Sequence, residues 1–155
     1  MDLESIYRLR GQQFARVAWA ITGDRDLAWD ALQDGFARAL LAADSYAGDS
    51  QLEAWVGRIV VNAAYDILRR RRREVPTSES SPREPSEEPT PTHGLRDAVA
   101  QLPERQRLAI FFRYYADFDY AQIAEVLGIE RGTVSATLSA AHRALALTAH
   151  QEVPR

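Results

Sequence analysis

With 155 residues, a formal net charge of −3 and no cysteine, the chain has room for one or two small domains and excludes disulfides, thiol catalysis and cysteine-ligated metal sites. Its three histidines (His93, His142, His150) lack metal-ligand spacing, and no carboxylate pair, Ser/His/Asp set or phosphate-cradling loop stands out, so no metal, cofactor or enzymatic activity is expected. No apolar run reaches membrane-spanning length and the acidic start (Asp2, Glu4) has no signal-peptide core, so no membrane insertion and a soluble, cytoplasmic chain are expected.

Charge is distributed unevenly. Residues 1–73 carry a net +1, residues 74–94 a net −4 and residues 95–155 a net 0, and all 19 basic residues are arginine. The middle segment, EVPTSESSPREPSEEPTPTHG, contains a single large apolar residue, Val75. It cannot bury enough surface to offset its ordering entropy, which predicts a disordered acidic linker between two domains, 1–73 and 95–150.

The first domain reads as three helices with no strand-like alternation, hence all-α. Leu3, Ile6, Phe14, Val17 and Ile21 recur at helical spacing before Gly23-Asp24 breaks the run. Leu27, Ala31, Leu32, Phe36 and Leu40 form a second apolar face, ended by residues 44–51. In a third and longest helix Leu52, Trp55, Val56, Ile59, Ala63 and Ile67 face inward, and the helix runs into Arg69 to Arg73. On its polar side Arg58, Asn62, Tyr65 and Arg69 lie within about 60° of each other at 100° per residue, a stripe opposite the core. Arginine for phosphate, asparagine for base edges and tyrosine for stacking suit single-stranded nucleic acid; an ordinary solvated face is the bland alternative. The arginine run favours the former, because charges so crowded repel unless a polyanion neutralises them. A second polar face, Asp26, Asp30, Gln33 and Asp34, is acidic, and is either inert or a docking surface for a basic protein.

The second domain starts at Leu95 with a short helix containing Val99 and Leu102, and Pro103 suits the first turn of the next helix, lined by Leu108, Phe111, Phe112 and Tyr115. Residues 120–138, YAQIAEVLGIERGTVSATL, then spell a helix-turn-helix, completing a four-helix unit. Asp119 and Gln122 have capping-box spacing, Ala124 is small where two helices cross, Gly128 suits a left-handed turn and Val134 anchors the second helix. Ile123, Leu127, Ile129 and Leu138 supply apolar contacts. The exposed positions of that second helix, Ser135, Ala136, Thr137, Ser139 and Ala140, form few strong contacts to phosphate or base. With the acidic net charge, this argues against a stand-alone, electrostatically driven DNA binder.

Domain by domain, these residues resemble a bacterial RNA polymerase sigma factor of the extracytoplasmic-function (ECF) group, the sigma-70 relatives that keep only regions 2 and 4. The resemblance is carried by residues 23–28 and 30–36, by Trp55, Ile59, Asn62, Asp66, Arg69 and Arg70, by residues 102–107, and by Tyr120, Ile123, Ala124, Leu127, Gly128 and Gly132 to Val134. It implies a promoter-directing subunit without chemistry of its own. Its partners would be core RNA polymerase, through the β′ clamp helices and the β flap, promoter DNA and an anti-sigma factor. The core-polymerase face would be Asp30, Gln33, Asp34 and Phe36. The −10 element would fall to Tyr46, Arg58, Asn62, Tyr65, Arg69 and Arg70, and the linker would thread the polymerase's basic RNA-exit path. The −35 element would fall to Arg131, Thr133, Ser135, Ala136, Ser139, Ala140 and Arg143, with His142 a further phosphate contact.

The chain departs from the family where Lys or Arg is usual: Ser135, Thr137 and Ala140 stand there, which predicts weak duplex affinity or reliance on groove shape. Trp29, where an acid is common, and Leu40, where tryptophan is frequent, are read as packing substitutions. Two alternatives differ in class: a sigma-like adaptor that binds polymerase or an anti-sigma partner with weak promoter reading, and a stand-alone helix-turn-helix regulator. The second leaves the arginine stripe unexplained.

Overall fold

The structure, a computed structural model, describes residues 2–48, 51–74 and 92–151, and all regular elements among them are helical. Helix α1 (Leu3–Thr22) begins where the Asp2 carboxylate accepts the Ser5 N–H at 2.8 Å, and ends at Gly23, left-handed at φ 71°. The next residue, Asp24, caps α2 (Arg25–Leu41) by accepting the Leu27 N–H. A 3-10 turn over Ala43–Ser45 leads to α3 (Leu52–Glu74), whose last turns carry the arginine run where the helix dipole is negative. Helices α4 (Thr92–Gln101), α5 (Glu104–Tyr114), α6 (Tyr120–Leu127) and α7 (Arg131–Gln151) make the second unit.

The helices reach into both ends of the predicted linker. Glu74 still belongs to α3, and α4 opens at Thr92 rather than Leu95; residues 75–91 lie outside the described residues. Pro103 caps α5 rather than sitting in its first turn.

In the first unit α1, α2 and α3 pack around Ile6, Phe14, Val17, Leu32, Val56 and Val60. Two assignments shift. Leu40, expected to face inward, is 65% exposed, and Leu41 beside it is 89% exposed. On α3 the buried face runs through Ala54, Val56, Val60, Val61, Ala63 and Ala64, while Trp55, Ile59 and Ile67 are only half-buried. The small residues let α2 and α3 approach closely at Gly35, where an added Cβ would lie 2.8 Å from a Val60 methyl and 2.9 Å from its Cα.

In the second unit the capping box forms in both directions: Asp119 Oδ1 accepts the Gln122 N–H and Gln122 Oε1 accepts the Asp119 N–H, each at 2.8 Å. Gly128, at φ 66°, turns the chain into α7, with Ile123, Val134 and Leu138 buried between the helices. Ala124 is buried at the crossing.

The two units share one continuous core. α6 packs on α3 and α5 on α1. Phe118, fully buried, meets Phe14 edge-on at 6.0 Å between ring centroids and stacks on Phe112 at 5.2 Å. Arg10 on α1 donates to the Ala116 carbonyl at 3.0 Å and faces Glu53 at 3.6 Å, while Gln122 donates from its side chain to Gln51.

The Gly35 crossing yields a direct test. Alanine favours a helix interior over glycine, yet here its methyl would strike Val60 backbone and side chain. Gly35→Ala is expected to destabilise the chain by about 1–3 kcal/mol in urea unfolding, the overpacking term exceeding the helix-propensity gain.

Candidate nucleic-acid and partner interfaces

The stripe on α3 survives only in part. Arg58, Asn62, Arg69 and Arg70 are exposed, as expected. Tyr65 is not free to stack: it is half-buried at the edge of the stripe nearest the second unit. Burial first, then the Glu104 carboxylate at the start of α5, pushes its phenol well above the usual tyrosine range. Tyr46 lies against Trp55, ring centroids 5.1 Å apart, at the mouth of the 44–51 segment, of which residues 49 and 50 lie outside the described residues.

Below the stripe, a charge network ties α2 to α3. Arg38 donates to Asp66 at 2.7 Å and pairs with Asp34 at 2.8 Å, and Arg69 pairs with Asp66 from the next turn. The hydrogen bonds from Arg38 and then Arg69 hold the Asp66 carboxyl below its ordinary value, and the same bond to Asp66 holds the Arg38 guanidinium above its own. At the far end, the Leu27 N–H and then Arg71, 3.5 Å away, lower Asp24. The arginine run is therefore partly neutralised within the chain: Arg69 and Arg71 have carboxylate partners, whereas Arg70, Arg72 and Arg73 are exposed and in none of the ion pairs among the described residues.

The acidic face of α2 holds its exposed members. Asp30 and Gln33 face solvent, and Asp34 is half-buried and engaged by Arg38. Phe36 cannot present itself to a partner, because it is buried and packed edge-on against Tyr7 at 5.0 Å. Trp29 is 41% exposed, so it and Leu40 are surface residues rather than the packing substitutions the sequence suggested. With Leu41 they add an apolar border to the acidic face.

On α7, Arg131, Thr133, Ser135, Ala136, Ser139 and Arg143 are exposed, and Ala140 is half-buried. Thr137, expected to be exposed, is half-buried, its hydroxyl donating to the Thr133 carbonyl at 2.7 Å. His142 is joined to the Tyr114 hydroxyl at 2.7 Å. The described residues contain no group of His, Asp or Glu able to hold a metal, and no described helix is long and apolar enough to cross a membrane.

Comparison with known proteins follows the same two units. Residues 6–74 match the family described as Sigma-70 region 2, and residues 93–145 match Sigma-70, region 4. The ECF RNA polymerase sigma factor SigM of Mycobacterium tuberculosis is 31% identical over 153 residues, covering 92% of this chain and 74% of the relative. The RNA polymerase sigma-E factor of Streptomyces coelicolor is 28% identical, covering 100% of this chain and 88% of the relative. Among solved structures, the sigma factor RpoE of Bartonella quintana, in complex with the anti-sigma factor NepR, superposes with a TM-score of 0.75 at 24% identity, over 98% of this chain and 99% of that one. CnrH, in complex with the cytosolic domain of CnrY, gives 0.74 at 19% identity, over 97% and 89%.

The network under the stripe predicts a pH dependence. A carboxyl with a depressed folded-state value contributes stability above its unfolded value and loses it as pH falls through the folded value. Asp66→Asn should therefore cost about 1 kcal/mol or less at pH 7, the pair being partly exposed, and the gap to the parent should close below the ordinary carboxyl value of 3.8. Urea titrations from pH 7 down to pH 2 would show a constant gap if Asp66 had no charged partner.

Proposed function

We propose how the surfaces divide the work of initiation from the premise that the matches establish: this chain belongs to the sigma-70 family, in its extracytoplasmic-function group. It is a sigma factor that binds core RNA polymerase and directs it to promoters. The first unit docks on the polymerase β′ clamp helices through α2, with Asp30 and Gln33 supplying charge and hydrogen bonds and Trp29, Leu40 and Leu41 the apolar border. Phe36 holds that helix in place from inside.

Arg58 and Asn62, with Arg69 and Arg70 beyond them, meet the −10 element. Arginine neutralises phosphate and asparagine reads a base edge, the pairing that a strand opened for capture requires. Tyr46, beside Trp55, stands at the end of this track as an aromatic platform. Through α7 the second unit lies in the −35 major groove, with Arg131 and Arg143 on phosphates and Thr133, Ser135, Ala136 and Ser139 against the groove floor; the half-buried Ala140 borders this face. The β flap holds this unit, and an anti-sigma factor competes for the same surfaces. The observation that carries the reading is the exposed Arg58–Asn62 pair in the same chain as an exposed helix-turn-helix reading face.

Reconstitution tests it. The chain mixed with core polymerase should yield run-off transcripts from genomic promoter fragments, and Arg58→Ala with Asn62→Ala should cut them at least about tenfold while leaving core binding intact. Failure to bind core would sink the reading; core binding without specific initiation would favour the adaptor.

A second expectation concerns the reading helix. Ser135→Arg with Ser139→Arg adds two cations on its exposed face and should raise duplex affinity and steepen the slope of log K against log salt by about 2 in fluorescence-anisotropy titrations. An unchanged slope would remove α7 from the duplex.

A further inference from the structure

A cleft of about 380 Å³ opens between α1 and α2, at the small end of the roughly 300–1,000 Å³ that small-molecule sites occupy. Its floor is made of methyl groups: Ala15 on α1 and Ala28 on α2 are both buried, and their small size leaves the space open. Its walls are two indoles, Trp19 from α1 and Trp29 from α2, 37% and 41% exposed. Gln12, Arg16 and Trp19 recur at i, i+4 and i+7 along α1, and Arg25 and Trp29 at i and i+4 along α2. Helical spacing thus delivers all five side chains to one opening. Tryptophan carries the largest aromatic area of any residue, and two of them beside one opening leave much of it in water.

The charge of the cleft is one-sided, for its lining includes two arginines and no acid. Arg16 and Arg25 belong to none of the ion pairs among the described residues, whereas Arg8, Arg10, Arg38, Arg69 and Arg71 all do. Each is laid over a ring instead: Arg25 over Trp19 at 5.7 Å, and Arg16 over Tyr115 of α5 at 5.6 Å. A ring beneath a guanidinium fixes its position without using its N–H donors as a carboxylate does. The acids nearby are aimed elsewhere. Asp26 and Asp30 follow Arg25 and Trp29 by one position and so point about 100° away, onto the acidic docking face. Asp24 is engaged by the Leu27 N–H and faces Arg71. Apolar aromatic walls with two oriented cations at the rim call for a flat ring that carries an anionic group. Stacking tolerates any such ring, and the guanidinium fork fits the oxygens of a phosphate.

We propose that the cleft between α1 and α2 is a purine nucleotide site. The base stacks on Trp29 above the Ala15–Ala28 floor, Trp19 with Arg25 over it closes the opposite wall, and Arg16 and Arg25 hold the phosphates. Gln12 offers its amide to the base edge. The site itself stands on the geometry of the first unit. What its occupancy controls rests on the docking reading for α2: Trp29 borders the polymerase face, so nucleotide and core compete for one indole, and each weakens the binding of the other by the same factor.

The indole N–H signals of the isotope-labelled full chain provide the test. The chain has three tryptophans, and Trp55, half-buried beside Tyr46, is the internal control. ADP should shift the Trp19 and Trp29 signals with a Kd below about 1 mM and leave Trp55 in place. Adenosine and inorganic pyrophosphate, each carrying half of the chemistry, should bind at least about tenfold more weakly. Trp29→Ala should weaken ADP at least about tenfold at the Trp19 signal, and Trp29→Phe should restore most of that affinity. Arg16→Ala with Arg25→Ala should abolish the preference for ADP over adenosine. No shift up to about 5 mM ADP, equal affinity for adenosine and ADP, or shifts at Trp55 as large as those in the cleft would overturn the site. Tighter binding of a single-stranded oligonucleotide through the same indoles would overturn it as well, in favour of DNA. At saturating ADP, core polymerase should bind the chain at least about threefold more weakly. Equal core binding with the indole signals still shifted would strike the competition and remove Trp29 from the docking border. If the chain binds no core under any condition, the docking reading falls, and the indole shifts still decide the site.

Discussion

The circumference of α3 is the constraint on which the rest of the molecule depends. One cylinder of 23 residues must bury a side in the first bundle, receive the second unit on another and leave a third open. Residue size allots the sides. Val56, Val60 and Ala64 fill the bundle side, where Val60 lies against the bare backbone of Gly35. Gly57 marks the side where another element comes closest, and Arg58 and Asn62 mark the side left to water or nucleic acid. At 100° per residue these sides adjoin without gaps. Tyr65 falls on the boundary, so its burial reports whether the second unit is seated. Exposure of the polar stripe and inter-unit packing are therefore coupled through the geometry of a single helix.

Where information was local, the sequence sufficed. The Gly23-Asp24 break, the Asp119–Gln122 box and the Gly128 turn each depend on residues within four positions of one another, and each forms as its spacing predicts. The helix-turn-helix core of Ile123, Val134 and Leu138 was legible for the same reason. Non-local packing was not. Periodicity reveals that a helix has an apolar side, but a helix covered on two sides buries small residues that carry little amphipathic signal, and Ala54, Gly57 and Ala64 went unread on that account. Leu40 was misassigned by the converse effect: its spacing continued an apolar face past the point where any neighbour covers it. Phe118, between two aspartates in a turn, was a visible anomaly, yet its partner Phe14 lies more than a hundred residues away. Exposure was read correctly for Asp30, Gln33, Arg58, Asn62, Arg69 and Arg70, and missed for Tyr65, which lies beside the other unit, and for Phe36, which Tyr7 covers from within its own.

Charge pairing explains how an acidic chain can serve DNA. Arg8, Arg10, Arg38, Arg69 and Arg71 all face carboxylates of the chain itself, which removes them from any non-specific attraction for polyanions. The arginines without an ion pair among the described residues, Arg58 and Arg70 included, then stand out against a background close to neutral. Such an arrangement trades affinity for position: long-range steering is weak, but a strand already held nearby meets its cations at defined places.

The sparse reading helix follows from the same economy. Two phosphate contacts from Arg131 and Arg143 would give a salt slope of only about −2, far short of the six to ten contacts of a self-sufficient duplex binder. On a polymerase the requirement changes, because once one unit is engaged the second binds as an intramolecular event at an effective concentration of about millimolar. A weak contact at high effective concentration places the complex without trapping it. A strong one would let the second unit bind duplex by itself, at promoters and elsewhere, whether or not the first had anything to open. On the proposed reading, the polarity of Ser135 and Ser139 matches such a tether rather than marking a loss of function.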